Sequence, residues 1–267
     1  MTDHSERHDS YAPEDAAGSS IAEPPRARDG AESGTVEVEG WKGKSHAFWR
    51  EWIKPLLIIG LVMFSFRSAV ADWNDVPTGS MKPTILEGDR IFINKIAYDL
   101  KVPFTTIRVA EWDDPEWGDV VVLLSPEDGK RLVKRVVGLP GDTVEIDGPF
   151  LYRNGERAAY DILDPYYVNQ IDSHEQARYH FAAEELDGLR HPIMTRVGRL
   201  DSPTGPFVIP DDHFFVMGDN RGNSRDSRYF GTVHRDEILG RATAVALSLD
   251  RENYFKPRWH RFFTKLP

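Results

Sequence analysis

The chain has 267 residues, 40% hydrophobic and 28% charged, an ordinary globular balance that allows one large domain or two small ones with a core. Cysteine is absent, which excludes a thiol nucleophile, thiolate zinc sites and disulfides. A formal net charge of -10 argues against nucleic acid as a partner, because binding phosphates needs a basic face.

Residues 1–40 are rich in Ser, Glu, Asp, Ala, Pro and Gly and almost lack large aliphatic side chains. They cannot bury enough surface to offset their ordering entropy, so a disordered cytoplasmic tail is expected over 1–50. Residues 53–71 read IKPLLIIGLVMFSFRSAVA. About 19 positions at about 1.5 Å each approach the roughly 30 Å hydrocarbon core, so a single transmembrane anchor is expected over 51–71, with the lipid bilayer as partner. Lys54 and Arg67 can snorkel at its ends, and Phe48, Trp49, Trp52 and Trp73 suit the interfaces. Lys42, Lys44, Arg50 and Lys54 precede the segment while Arg67 follows it, which puts the N-terminus in the cytoplasm and 72–267 outside, at the plasma membrane. Ala69-Val70-Ala71 has a small-x-small pattern, read either as the small-residue end of the anchor or as a self-cleavage site; an intact mass lacking an N-terminus at Asp72 would count against the latter.

Beyond the anchor the signals are mainly β. Apolar runs at 119–124 and 131–137 are bounded by Gly118, Pro126 and the turn Pro140-Gly141-Asp142. Asn154-Gly155 signals a hairpin, 207–209 and 213–217 lead into a glycine- and asparagine-rich loop, and 242–249 reads as a last core strand. The polar, acidic and weakly periodic stretch 160–206 reads as an insertion on this scaffold, spanning about 150–210. Aromatics and cations mix at 254–263, as in a segment resting on the outer leaflet or an ordinary packed end.

Ser80 lies in Pro77-Thr78-Gly79-Ser80-Met81-Lys82, shortly after the apolar segment. A serine hydroxyl needs a base, and lysine serves only when kept neutral. On a strand Lys134 shares a face with Leu132 and Val136, so burial would lower its pKa. Lys82 is nearer in sequence but has no flanking apolar alternation; Lys134 is therefore the expected base, against the plain alternative of a snorkelling strand lysine. The loop 218–231 (GDNRGNSRDSRYFG) can orient a neutral lysine and brace itself with an Asp226–Arg228 ion pair, or be a solvated surface loop. The histidines, His174 and His180 among them, show no metal-ligand pattern and are expected at the surface; no metal or other cofactor is expected.

The segments PTGSMKPTILEGD, WGDVVVL, KRVVGLPGD and GDNRGNSRDSRYFG, in this order after an apolar segment, resemble the motifs of type I signal peptidases. The resemblance implies a mainly β catalytic domain, a β-sheet or barrel with an inserted segment behind one transmembrane helix. It implies a Ser/Lys endopeptidase that removes signal peptides from exported precursor proteins after Ala-x-Ala sites. Ser80 would be nucleophile and Lys134 general base, Thr78 with the Ser80 N–H would hold the oxyanion, and Ser224, Asp226 and Arg228 would support the lysine. Val76, Leu132 and Val133 would line small-residue pockets. Asn74 and Lys82 depart from the usual apolar residue and methionine. Two other readings are a self-cleaving repressor-type Ser/Lys peptidase, which would lack the anchor, and an inactive membrane-tethered peptide binder, which would have no need of the full residue set.

Overall fold

The computed structural model describes residues 48–102, 105, 107–198 and 204–267. All but the last three residues of the expected tail lie outside them. Helix Lys54–Ala69 carries Pro55 in its first turn, where the missing N–H costs nothing. It exposes Leu56, Leu57, Ile58, Ile59, Leu61, Val62, Met63 and Phe64, more than two turns of apolar side chains without a protein partner face. Among the described residues no helix is long and apolar enough to cross a membrane. The last residue of the expected 51–71 span is already in the sheet: Ala71 opens strand β1 (Ala71–Asp75) and faces Asn94 of β2 (Asp89–Asn94).

The strands that follow are β3 (Asp99–Lys101), β4 (Arg108–Glu111), β5 (Val120–Leu124), β6 (Arg131–Gly138), β7 (Thr143–Asp147), β8 (Phe150–Arg153), β9 (Glu156–Arg157), β10 (Ala159–Asp161), β11 (Tyr179–Leu186), β12 (Leu189–Arg196), β13 (Thr204–Val208), β14 (His213–Met217), β15 (Val233–His234) and β16 (Ile238–Asp250). The main sheet runs β1-β2-β16-β5-β6-β14-β15 and is antiparallel throughout. The long strand β16 shifts register against both neighbours, and such bulges bend and twist a strand. Gly240 sits at one of them with φ +156°, where a Cβ would lie 2.6 Å from the Asn94 carbonyl. Only glycine lets β2 and β16 approach there. The sheet thereby curls.

The apolar runs read from the sequence are strands buried on both faces. Along β5, Val120 and Val122 join Val76, Met81, Ile85 and Ile91 in one cluster, while Val121 and Leu123 join Val136, Phe214 and Val216 in another. That is the two-residue alternation of a pleated strand.

The stretch expected as an insertion folds as β structure too. Strand β13 returns to pair with β7, so the excursion opens at β7. Asn154 (φ 55°) and Gly155 (φ 81°) make the two-residue turn between β8 and β9. Strands β10, β11 and β12 form a separate three-stranded sheet. Ile146, Leu151 and Ala158 pack with Val137, Phe215 and Met217 of the main sheet around Trp117, so the excursion shares a core with the scaffold.

Candidate active site

Ser80 sits in a single 3-10 turn, Gly79–Met81, anchored by Met81 in the apolar cluster. Lys134 projects from β6 and is almost fully buried. The two meet across 54 positions of sequence: Lys134 Nζ lies 2.9 Å from Ser80 Oγ and donates to the Val133 carbonyl at 3.1 Å. Burial pushes the ammonium down to about 8. Asp226 and Asp219 oppose this fall, and Arg228 adds to it. An amine so placed can take a proton from the hydroxyl near neutral pH.

Both opposing carboxylates are engaged elsewhere. Asp226 caps the helix Ser227–Phe230 and holds Arg228 through two bonds of 2.8 and 2.9 Å, while the Gly218 N–H donates to it at 3.0 Å. Burial alone would raise the Asp226 carboxyl, but Arg228 and these donors hold it low. Asp219, fully buried, takes a two-pronged bond from Arg135 at 2.9 Å each and another from the Thr84 hydroxyl. The expected Asp226–Arg228 pair is therefore present. The Arg135–Asp219 pair was not foreseen, since nothing in the strand pattern shows what a buried arginine finds opposite it.

The loop after β14 also holds the serine turn. Asn220 donates from its side chain to the Gly79 carbonyl and from its backbone to the Ser80 carbonyl, both at 3.0 Å. Gly218 leaves room for this contact: a Cβ there would stand 2.4 Å from the Ser80 carbonyl and 2.3 Å from Ser224 Oγ. The Ser224 hydroxyl is close enough to Asp226 to help hold that carboxyl low, yet it is buried and makes no hydrogen bond of regular geometry among the described residues. Gly218 and Asn220 were visible in the sequence as members of the loop. Their task, pinning a turn some 140 positions upstream, was not.

Lys82 points away from the pair. It is bonded to Glu175 at 2.8 Å and Glu87 at 2.9 Å; burial lowers its ammonium, but the two carboxylates outweigh burial and raise it. A lysine held charged in this way is a poor base. Thr78 is exposed, and its side chain does not cap the serine turn it precedes. Val133 packs beside the cluster of Val76 and Met81, Leu132 beside that of Val136, and Val76 is buried. Asn74 accepts from Arg131 at 3.3 Å. His174 and His180 are exposed as expected, but His191 corrects the surface assignment: it is buried, facing Glu184 across the β11–β12 ladder at 3.2 Å. Among the described residues no group of His, Asp and Glu could hold a metal ion.

The family model described as "Signal peptidase, peptidase S26" matches residues 49–247, a span holding all of these groups. The chain belongs to the signal peptidase family, peptidase S26. It is 38% identical over 209 residues to a signal peptidase I of Pseudomonas fluorescens, covering 73% of this chain and 70% of that one. A signal peptidase I of Pseudomonas aeruginosa is 37% identical with the same coverage. Signal peptidase I P of Bacillus subtilis subsp. natto is 34% identical over 77% of this chain and 93% of its own. As a family member, this chain is a serine endopeptidase of mainly β architecture, the class that the ordered motifs imply.

Proposed function

We propose that this chain removes N-terminal signal peptides from exported precursor proteins, cleaving after Ala-x-Ala sites with Ser80 as nucleophile and Lys134 as general base. The observation that carries this reading is the 2.9 Å contact between a buried lysine amine titrating at about 8 and a serine hydroxyl on a braced turn. An extended precursor lies beside Ser80 and gains main-chain hydrogen bonds as an added strand would, with small side chains entering pockets formed by Val76, Leu132 and Val133. Lys134 takes the Ser80 proton, the hydroxyl attacks the scissile carbonyl, and the resulting ammonium returns the proton to the leaving amine. The first N–H groups of the 3-10 turn have no acceptor within the turn, which suits the Ser80 N–H, with the Thr78 hydroxyl, to the oxyanion. Water activated by the same lysine then hydrolyses the acyl-enzyme. Ser224, Asp226 and Arg228 keep the amine in place.

Cleavage of a precursor in detergent micelles, with N-terminal sequencing of the product, tests these roles. Ser80→Ala and Lys134→Ala are expected to abolish cutting with the fold intact by circular dichroism, and Thr78→Ala to lower kcat by roughly a hundredfold with KM little changed. Cutting by either of the first two would remove that residue from the dyad.

The anchor belongs to the same reading. Helix 54–69 exposes apolar side chains around its surface, and Trp49, Trp52 and Trp73 flank it. Local bilayer thinning and snorkelling of Lys54 and Arg67 would let a short helix span. The cations before it would keep residues 1–50 in the cytoplasm and the catalytic domain 72–267 outside. The full chain is expected to stay with the membrane pellet through alkaline carbonate extraction; release into the supernatant would rule out an anchor.

A further inference from the structure

The segment that pins the serine turn is itself backed by the excursion. Asp219, Asn220 and Arg221 run between the serine turn and strand β12. Toward the turn, Asn220 holds the Gly79 and Ser80 carbonyls, both at 3.0 Å. Toward β12, Met194 N donates to the Asp219 carbonyl at 2.9 Å and Arg221 N donates to the Met194 carbonyl at 2.8 Å, an isolated parallel bridge between Met194 and Asn220. Gly222 lets the chain come this close, since a Cβ there would meet the Arg196 backbone N at 2.9 Å.

A side-chain clamp reinforces this short ladder. Arg221 gives Nη1 to one oxygen of Glu184 on β11 at 2.9 Å and Nη2 to the other at 2.5 Å. This fork-on-fork geometry fixes direction as well as distance. Glu184 is fully buried and held from two further strands: the Tyr160 hydroxyl on β10 donates to it at 2.7 Å, and His191 on β12 lies 3.2 Å away. Burial alone would raise its carboxyl, but Arg221 and His191 hold it well below the usual carboxylate range, so the pair stays charged. The same arginine also meets the support of the lysine. Its carbonyl accepts from Arg228 Nη1 at 2.9 Å, and Arg228 in turn grips Asp226. One clamp thus serves both the turn carrying Ser80 and the ion pair beside Lys134. A buried ion pair adds little stability over apolar side chains of the same volume, and its best-attested use is to fix one arrangement of the chain.

We propose that Glu184 is a positioning residue for the peptidase reaction: acting through Arg221, it holds residues 219–221 in the place that sets Ser80 against Lys134. The excursion sheet is then a working part of the catalytic unit. The proposal rests on the Ser80–Lys134 reading.

The test measures kcat and KM of Glu184→Gln on a precursor in micelles, below the unfolding transition of every variant compared. Val144→Ala, which opens a cavity in the core shared by excursion and main sheet, is the control for lost stability. Both should lower Tm. Only Glu184→Gln should lower kcat, by roughly ten- to a hundredfold with KM unchanged, because a misplaced nucleophile loses rate and not ground-state binding. Glu184→Asp, which keeps the charge, should recover part of that rate. If the glutamine variant does not fold, the aspartate variant carries the test, with a several-fold fall in kcat expected. A kcat within about twofold of wild type in the variant that carries the test, an equal fall in Val144→Ala, or no recovery by aspartate would overturn the proposal. Those results leave the Ser80–Lys134 reading standing, provided wild type cuts the precursor and Ser80→Ala does not; cutting by Ser80→Ala would instead remove the reading on which the proposal rests.

Discussion

Replacing Lys134 by methionine should make this protein more stable at pH 6 while leaving it inactive. Its ammonium falls from an ordinary 10.5 to about 8 in the fold, chiefly by burial. At about 1.4 kcal/mol per unit, keeping the charge in place costs the native state roughly 3 kcal/mol at neutral pH. Methionine fills a similar volume without charge, but it leaves the Val133 carbonyl without its donor, at about 1 kcal/mol. Ser80 is partly exposed and can turn to water. The net gain is about 2 kcal/mol, roughly 5 °C in Tm for a chain of this size. The sign with pH follows from linkage. Between about 8 and 10.5 the unfolded chain holds the Lys134 proton and the folded one does not, so the native wild type gains stability as pH rises through that window. The advantage of Lys134→Met should therefore be full at pH 6 and shrink above pH 8. Thermal unfolding in micelles followed by circular dichroism across pH 6–10 measures both proteins. A methionine variant less stable than wild type at pH 6, or a difference flat with pH, would show that the buried amine carries no such penalty and would remove the ground for Lys134 as base.

Two other substitutions probe the surroundings of the pair. Gly218→Ala places a methyl 2.4 Å from the Ser80 carbonyl and 2.3 Å from Ser224 Oγ; the first contact is backbone and cannot turn aside, so cleavage should fall by at least roughly a hundredfold, and near-normal kcat would mean the serine turn is not pinned there. Lys82→Ala should keep most activity and leave the pH–rate profile in place, since the charges acting on Lys134 are those of Asp226, Asp219 and Arg228. A shifted acid limb in that variant would show that the Lys82 charge reaches the amine after all.

Much of the chemistry was legible before any fold was known. Ser80 stood in a turn-forming run, and the alternation of Leu132, Lys134 and Val136 placed one lysine on an apolar face, because side-chain direction along a strand repeats every two residues. The same periodicity gave β5 and β6, and the ordered motifs gave the family. The weakly periodic stretch 160–206 gave little. Its strands form a sheet with many polar and exposed positions, and its Tyr160 packs against a core built in part by Phe215 of the main sheet and by Trp117 in the turn before β5. His191 was misjudged for a related reason: its partner Glu184 is fixed by the register of β11 on β12, which neither strand declares alone.

The identity of the amine and the downward direction of its pKa were set by local pattern, whereas the charges that surround it were not. Lys134 sits beside two buried carboxylates that would by themselves favour the ammonium; burial outweighs them, and Arg228 adds to the fall from elsewhere in the chain. Likewise Glu175, 93 positions away, is what removes Lys82 from contention. Apolar alternation acts between neighbours in sequence and can be read there. Coulombic balance acts between neighbours in space, so only the folded chain decides which charges face one another.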